Sequence, residues 1–224
     1  MSDLPTAIPL ECRFDVTYAD SSSVVTKAER RSDSQHKVTR AKPPKRVTEA
    51  EYWEKYYSNP EIIYEWNNGL LEEKPASDHE NYLMYLWFIE LLRHFLITRP
   101  IAKATGLEFG FRLNLPDKTA IRRPDLGVIL NSNPIQIQLQ DRTYQGIFDM
   151  CIEIFSDFTP EAMERDTDTK FGEYAAAGVK EYYILYAKGE PMAFYYLNQQ
   201  GMYIPMTQVM GDIIKSQVLP CFQF

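Results

Sequence analysis

The chain has 224 residues, 45% of them hydrophobic and 13% aromatic, and a formal net charge of −7. That apolar content excludes an intrinsically disordered chain and suffices for one α/β domain with extensions, or at most two small domains. The acidic balance counts against tight, sequence-independent DNA binding, which draws on phosphate neutralisation by Lys and Arg, and no apolar run approaches the ~18 residues of a membrane span.

The charge is unevenly spread. Residues 1–46 hold nine Lys and Arg against six Asp and Glu, and the remainder holds 15 against 25. The opening stretch, Met1 to Phe14, lacks a basic region followed by an apolar one, so no signal peptide is expected. Ser21-Ser22-Ser23 and Arg30-Arg31-Ser32-Asp33-Ser34 follow neither helical nor strand periodicity, and the segment closes on Lys42-Pro43-Pro44-Lys45. Residues 1–46 therefore read as a mobile extension, preferred as a solvated tail over a basic arm that touches nucleic acid, with the domain spanning 47–224. Cys12, Cys151 and Cys221 form no CxxC pair. Such a scattered, odd set argues against a disulfide framework or a zinc site and for a reducing compartment, so a cytoplasmic location is expected.

The domain opens on Thr48-Glu49-Ala50-Glu51, a capping box that predicts a short helix through Tyr56. Ile62 to Trp66 and Leu70 to Glu73 flank Asn67-Asn68-Gly69, a hairpin turn signal. Ser77 or Asp78 can cap a long helix that carries Leu83, Leu86, Trp87, Leu91 and Phe95 and stops before Pro100. The period then changes to two. Leu107, Phe109, Phe111, Leu113 and Leu115 predict a half-buried strand, with Ile121 to Leu130 as its antiparallel partner. Ile147 to Phe155 is nearly continuously apolar, as a strand covered on both faces should be. Thr159 caps a second helix with Pro160 at its first position, and Gly178 ends it. Glu181 to Tyr186 predicts a fourth strand, and Met192 to Leu197 with Met202 to Met206 a closing hairpin. The expected fold is a mixed-sheet α+β arrangement in the order α-β-β-β-α-β, with an N-terminal hairpin and C-terminal strands.

Two of the apolar strands each carry one acid, Asp125 after Pro124 and Glu153 inside Met150 to Phe155. A carboxylate there costs several kcal/mol unless it is paired or binds a cation. Two on neighbouring strands repel, and a Mg²⁺ between them removes both costs while keeping waters for a substrate phosphate. The carbonyl of Ile154 is a candidate further ligand. Lys170, in the second helix, is the candidate cation to hold or deprotonate the attacking water. Its spacing from Asp166 also fits a plain surface ion pair.

The runs Tyr64 to Gly69, His79, Arg123 to Val128, Ile152 to Ser156, Asp166 to Lys170, Tyr174 to Val179 and Glu181 to Ile184 resemble the Uma-two family of restriction-endonuclease-like proteins, of the PD-(D/E)XK nuclease superfamily. The resemblance covers roughly residues 47–224. It implies the superfamily core, metal-dependent nuclease chemistry, and Asp125, Glu153 and Lys170 as the matching catalytic positions, with Asp125 and Glu153 holding the metal. The chain departs from the family in three places. Phe155 occupies the position two after the glutamate where the superfamily lysine normally sits, so Lys170 must act as a migrated lysine. Leu70 replaces an acid after the hairpin glycine, and Ser156-Asp157-Phe158-Thr159 replaces a Ser-Pro-Ser turn.

Other residues carry two readings each. His79 could serve the cleft, against a capping or core histidine. Glu65 and Glu73 could supply another acid, against a solvated hairpin face. Arg122 and Arg123 could touch phosphates, whereas these two and Lys118 could equally be exposed edge charges. The tyrosines at 182, 183, 186, 195 and 196 read as sheet packing rather than a base-stacking platform. The expected function is an Mg²⁺-dependent endonuclease (Mn²⁺ able to substitute) that hydrolyses phosphodiester bonds of DNA, with a homodimer by analogy. The alternative is a nuclease-fold domain with weak or no catalysis that acts in nucleic-acid binding or regulation.

Overall fold

The computed structural model describes residues 45–106, 109–155, 159–186, 192–206 and 213–224. The extension read at 1–46 lies outside them except for Lys45 and Arg46, as do Leu107, Glu108 and Ser156 to Phe158. Thr48 Oγ1 accepts from the Glu51 N–H at 3.1 Å, as the capping pattern predicts, and α1 (Glu49–Glu51) runs into a π-turn, Tyr52–Tyr56. β1 (Tyr64–Asn67) and β2 (Leu70–Glu73) form the first hairpin. Its Asn68 and Gly69 both have positive φ, 46° and 95°, which a two-residue type I′ turn requires. Asp78 caps α2 (His79–Thr98), accepting from the Asn81 N–H at 3.0 Å.

After α2 comes β3 (Ala102–Thr105), then β4 (Phe111–Asn114), β5 (Thr119–Arg122), β6 (Leu126–Leu130) and β7 (Met150–Phe155). α3 (Pro160–Glu164) leads through a π-turn, Arg165–Thr169, into α4 (Lys170–Ala177). Gly178, with φ 87°, closes α4 in the left-handed conformation. β8 (Glu181–Tyr186), β9 (Ala193–Leu197) and β10 (Tyr203–Pro205) complete the described elements.

The strands make two sheets, β2-β1-β5-β4 and β10-β9-β8-β7-β6-β3. Pro124 creates the division. The run Ile121 to Leu130 reads as one strand, but proline has no N–H for a ladder and breaks pairing where it stands. Before it, β5 pairs with β4 and β1 in the smaller sheet; after it, β6 pairs with β3 and β7 in the larger. The first strand of the larger sheet is thus β3, too short and mixed in polarity to stand out in the sequence, while the alternating run around Phe111 belongs to the smaller sheet. β7 lies between antiparallel β6 and parallel β8. The α3–α4 crossover supplies the long connection a parallel pair needs. The mixed-sheet α+β class is as expected.

The main core joins Phe111, Leu113, Tyr144, Phe148, Phe155, Tyr174 and Tyr182, all but fully buried. Tyr182 and Tyr183 are buried sheet residues, as expected. Cys151 is free and buried. Among the described residues no helix is long and apolar enough to cross a membrane.

Candidate active site

Pro124 also positions the first acid. Asp125 stands where the chain leaves the smaller sheet for β6, and its Oδ2 accepts from the Ile154 N–H at 2.6 Å. Ile154 follows Glu153 in β7, so this bond holds the two acids beside each other. A shared cation marks where they converge. Lys74, just beyond β2, places its Nζ 3.1 Å from Asp125 Oδ1 and 3.6 Å from Glu153 Oε2, and donates to the Arg123 carbonyl at 2.8 Å.

The other oxygen of Glu153 faces α4. Its Oε1 accepts from Lys170 Nζ at 3.0 Å and from the Tyr174 hydroxyl at 2.9 Å. Lys170 and Tyr174 are one helical turn apart and share a face. The π-turn before Lys170 inserts wider i→i+5 spacing at this point, a feature frequent at functional sites. Lys170 also meets Asp166 Oδ1 at 3.0 Å and Glu65 Oε1 at 3.4 Å, with its side chain fully buried. Lys170 does pair with Asp166, but inside the protein and shared with Glu153 rather than on the surface.

Burial dominates the proton affinities here, and the charges around each group decide how far it gets. Burial, seconded by Asp125 and Asp166, outweighs the pull of Lys170 and Lys74 and pushes the Glu153 carboxyl up to about 7. For Glu65 burial pushes the same way, but Lys170, Arg122 and Lys74 outweigh it and hold that carboxyl well below its usual range. Burial would favour a neutral Lys170 amine; Asp166, Glu153 and Glu65 together outweigh it and raise its proton affinity.

A second knot of charge backs the first. Arg122 is fully buried and binds Glu65 at 3.1 Å, Glu72, and Glu173 twice, at 2.6 and 3.0 Å. Glu173 also accepts from Lys118 at 2.6 Å. Arg122 is thus neither a phosphate contact nor an exposed edge charge, because it is fully buried among three carboxylates. Lys118 is tied down in the same way. Arg123 lies over the Tyr57 ring at 4.6 Å and donates to the Tyr57 carbonyl at 2.9 Å. Glu65 is an interior acid and Glu73 an exposed one. His79 is neither cap nor core: Asp78 caps the helix, and His79 sits exposed beside the Tyr82 ring at 6.4 Å.

An open cleft of about 1000 Å³ borders this cluster, lined among others by Lys74, Arg165, Glu61, Glu72, Glu73 and Glu164. Lys74 belongs both to that wall and to the Asp125–Glu153 pair. The structure brings Asp125, Glu153 and Lys170 together and adds Lys74, Tyr174 and Glu173, which the sequence does not single out. Tyr174 was findable, four residues after Lys170; Lys74 precedes Pro75 in a linker with no periodicity. Among the described residues no three His, Cys, Asp or Glu side chains gather in an arrangement able to hold a metal ion.

The family model described as "Uma2: Putative restriction endonuclease" matches residues 49–224. A solved structure described as a "putative nuclease belonging to DUF820", from Anabaena variabilis, aligns with a TM-score of 0.57 at 15% identity, over 73% of this chain and 88% of that one. That similarity speaks for the fold. No curated protein matches the chain.

Proposed function

From the premise that this chain belongs to the Uma2 family of restriction-endonuclease-type proteins, we propose that it is a divalent-metal-dependent endonuclease hydrolysing phosphodiester bonds of DNA. The observation that carries this reading is the convergence of Asp125 Oδ1 and Glu153 Oε2 on one cation, 3.1 and 3.6 Å from Lys74 Nζ. The Arg123 carbonyl, 2.8 Å from the same Nζ, adds a third oxygen. Hard oxygens on one point, two of them carboxylate, suit Mg²⁺ or Mn²⁺. Asp125 and Glu153 would hold the ion, with the Arg123 carbonyl as the further oxygen in place of Ile154. Such an ion supplies an acidified water and neutralises charge developing on the phosphoryl oxygens.

The chain's own groups do the positioning. The Ile154 N–H aims Asp125, and Tyr174 and Lys170 aim Glu153 through its second oxygen. Lys170 keeps its proton among three carboxylates, so in this arrangement it acts as an orienting cation and not as a base. The cleft beside Lys74 and Arg165 gives the substrate its approach, and a homodimer able to cut both strands belongs to this reading.

A plasmid-nicking assay with Mg²⁺ or Mn²⁺ tests the proposal. Wild type should nick and Glu153→Gln should not; equal activity in both would remove Glu153 from the site. One observation favours a second reading, a nuclease-fold domain with little catalysis: four of the charged residues on the cleft wall are glutamates, which repel a polyanion. No metal-dependent nicking by the wild type would favour that reading.

A further inference from the structure

We propose that Lys74 is a built-in competitor for the metal: its ammonium occupies the cation position between Asp125 and Glu153, and a divalent ion binds only after that side chain swings into the cleft. The inference rests on the metal reading of these two acids and goes beyond it by assigning a role to a residue outside the Asp125–Glu153–Lys170 set.

The contacts of Nζ are those of a small cation. Asp125 Oδ1 lies 3.1 Å from it, the Arg123 carbonyl 2.8 Å and Glu153 Oε2 3.6 Å. An ammonium is a compact point charge and can stand in for a metal ion on such oxygens. Only 7% of the Lys74 side chain is exposed, yet the residue lines the open cleft, so a path outward adjoins its buried position. Its backbone stays anchored during such a movement, because the Lys74 N–H donates to the Ile63 carbonyl at 2.8 Å and Pro75 follows. The displacement is thus a change of side-chain rotamers on a lysine's flexible stem.

Lys170 is not exchangeable in the same sense. The two lysines divide the Glu153 carboxylate between them, Lys170 on Oε1 and Lys74 on Oε2. Asp166 and Glu65 hold Lys170 from the far side, and its side chain reaches no solvent. A divalent ion between Asp125 and Glu153 replaces one positive charge with two while Lys170 stays in place. The released Lys74 ammonium then faces the space in which a phosphate backbone would lie.

Mn²⁺ binding to the full chain, followed by electron paramagnetic resonance of the free ion, tests this. Removing the competitor raises the fraction of binding-competent protein, so Lys74→Met should bind Mn²⁺ about tenfold more tightly than wild type. Equal or weaker binding by Lys74→Met overturns the inference and leaves the metal reading standing. Absence of Mn²⁺ binding in both proteins overturns both. A second measurement reads the wild type itself: in ε-¹³C-lysine spectra, with the two signals assigned from Lys→Arg variants, added Mg²⁺ should shift the Lys74 signal much further than that of Lys170. An unmoved Lys74 signal at saturating Mg²⁺ sinks the proposal.

Discussion

The Ile154 N–H donates to Asp125 Oδ2 at 2.6 Å, so the residue after one acid aims the other. The bond spends one Asp125 oxygen on the backbone and leaves Oδ1 to face the cation position.

Asp125→Asn should therefore keep the backbone contact, since an amide oxygen can accept it, while losing the charge. Plasmid nicking is expected to fall at least about a hundredfold, with a melting temperature close to that of wild type by circular dichroism. Retained nicking would exclude Asp125 from the reacting site.

Lys170→Met should behave differently. It leaves Glu153, Asp166 and Glu65 facing one another in the interior without their shared cation, and loss of one partner of a buried ion cluster costs about 3–5 kcal/mol. Urea denaturation measures this directly. A cost under about 1 kcal/mol, the range of an exposed pair, would contradict the buried placement. Loss of activity in this variant carries meaning only alongside its stability.

Arg122→Met is expected to be similarly costly, because Glu65 and Glu173 lose their guanidinium. Replacing Glu173 by Met as well removes one of the stranded carboxylates, so the double variant should be less destabilised than the two single costs added together, with a coupling of about 1–3 kcal/mol. Additive costs would mean that the two side chains do not interact as described.

The fourth expectation concerns pH. Glu181 accepts from the Ser216 and Tyr183 hydroxyls and from the N–H groups of Gln217 and Val218, but burial outweighs these bonds and raises its carboxyl above the ordinary 4.5. A raised folded-state value means that the native protein binds this proton more tightly than the unfolded chain does. Its stabilising contribution is complete below 4.5 and is lost as pH rises through the folded value. Thermal melts of wild type and Glu181→Gln should therefore diverge as pH rises above the ordinary 4.5, the variant losing less stability. Parallel melting curves would show that Glu181 does not carry the shift.

Local chemistry was legible in the sequence and partnership across distance was not. The Thr48 cap, the Asn68-Gly69 turn, the Gly178 stop and the Pro160 start depend on neighbours a few residues away, and each appears as read. Asp125 and Glu153 stood out because acids in apolar strands demand a reason. Arg122 misled because an arginine beside Pro124 reads as a surface residue; only the fold brings Glu65, Glu72 and Glu173 around it, from 50 to 57 residues away in sequence. Lys74 left no trace, since nothing within its own linker distinguishes it from a solvated lysine. Phe155 was legible as a departure, and in the structure it is buried in the aromatic core that includes Tyr174 and Tyr182.

The break at Pro124 has a mechanical meaning. Asp125 is the stitch between the sheets, Lys74 and Arg122 hang from the smaller one, and Glu153 belongs to the larger. Sliding one sheet past the other would alter the gap between the two acids, and whatever fixes that gap clamps the sheets together. The ion pairs from Lys74 to Asp125 and Glu153 are in that sense a fastener, holding the margin of the smaller sheet against the larger one.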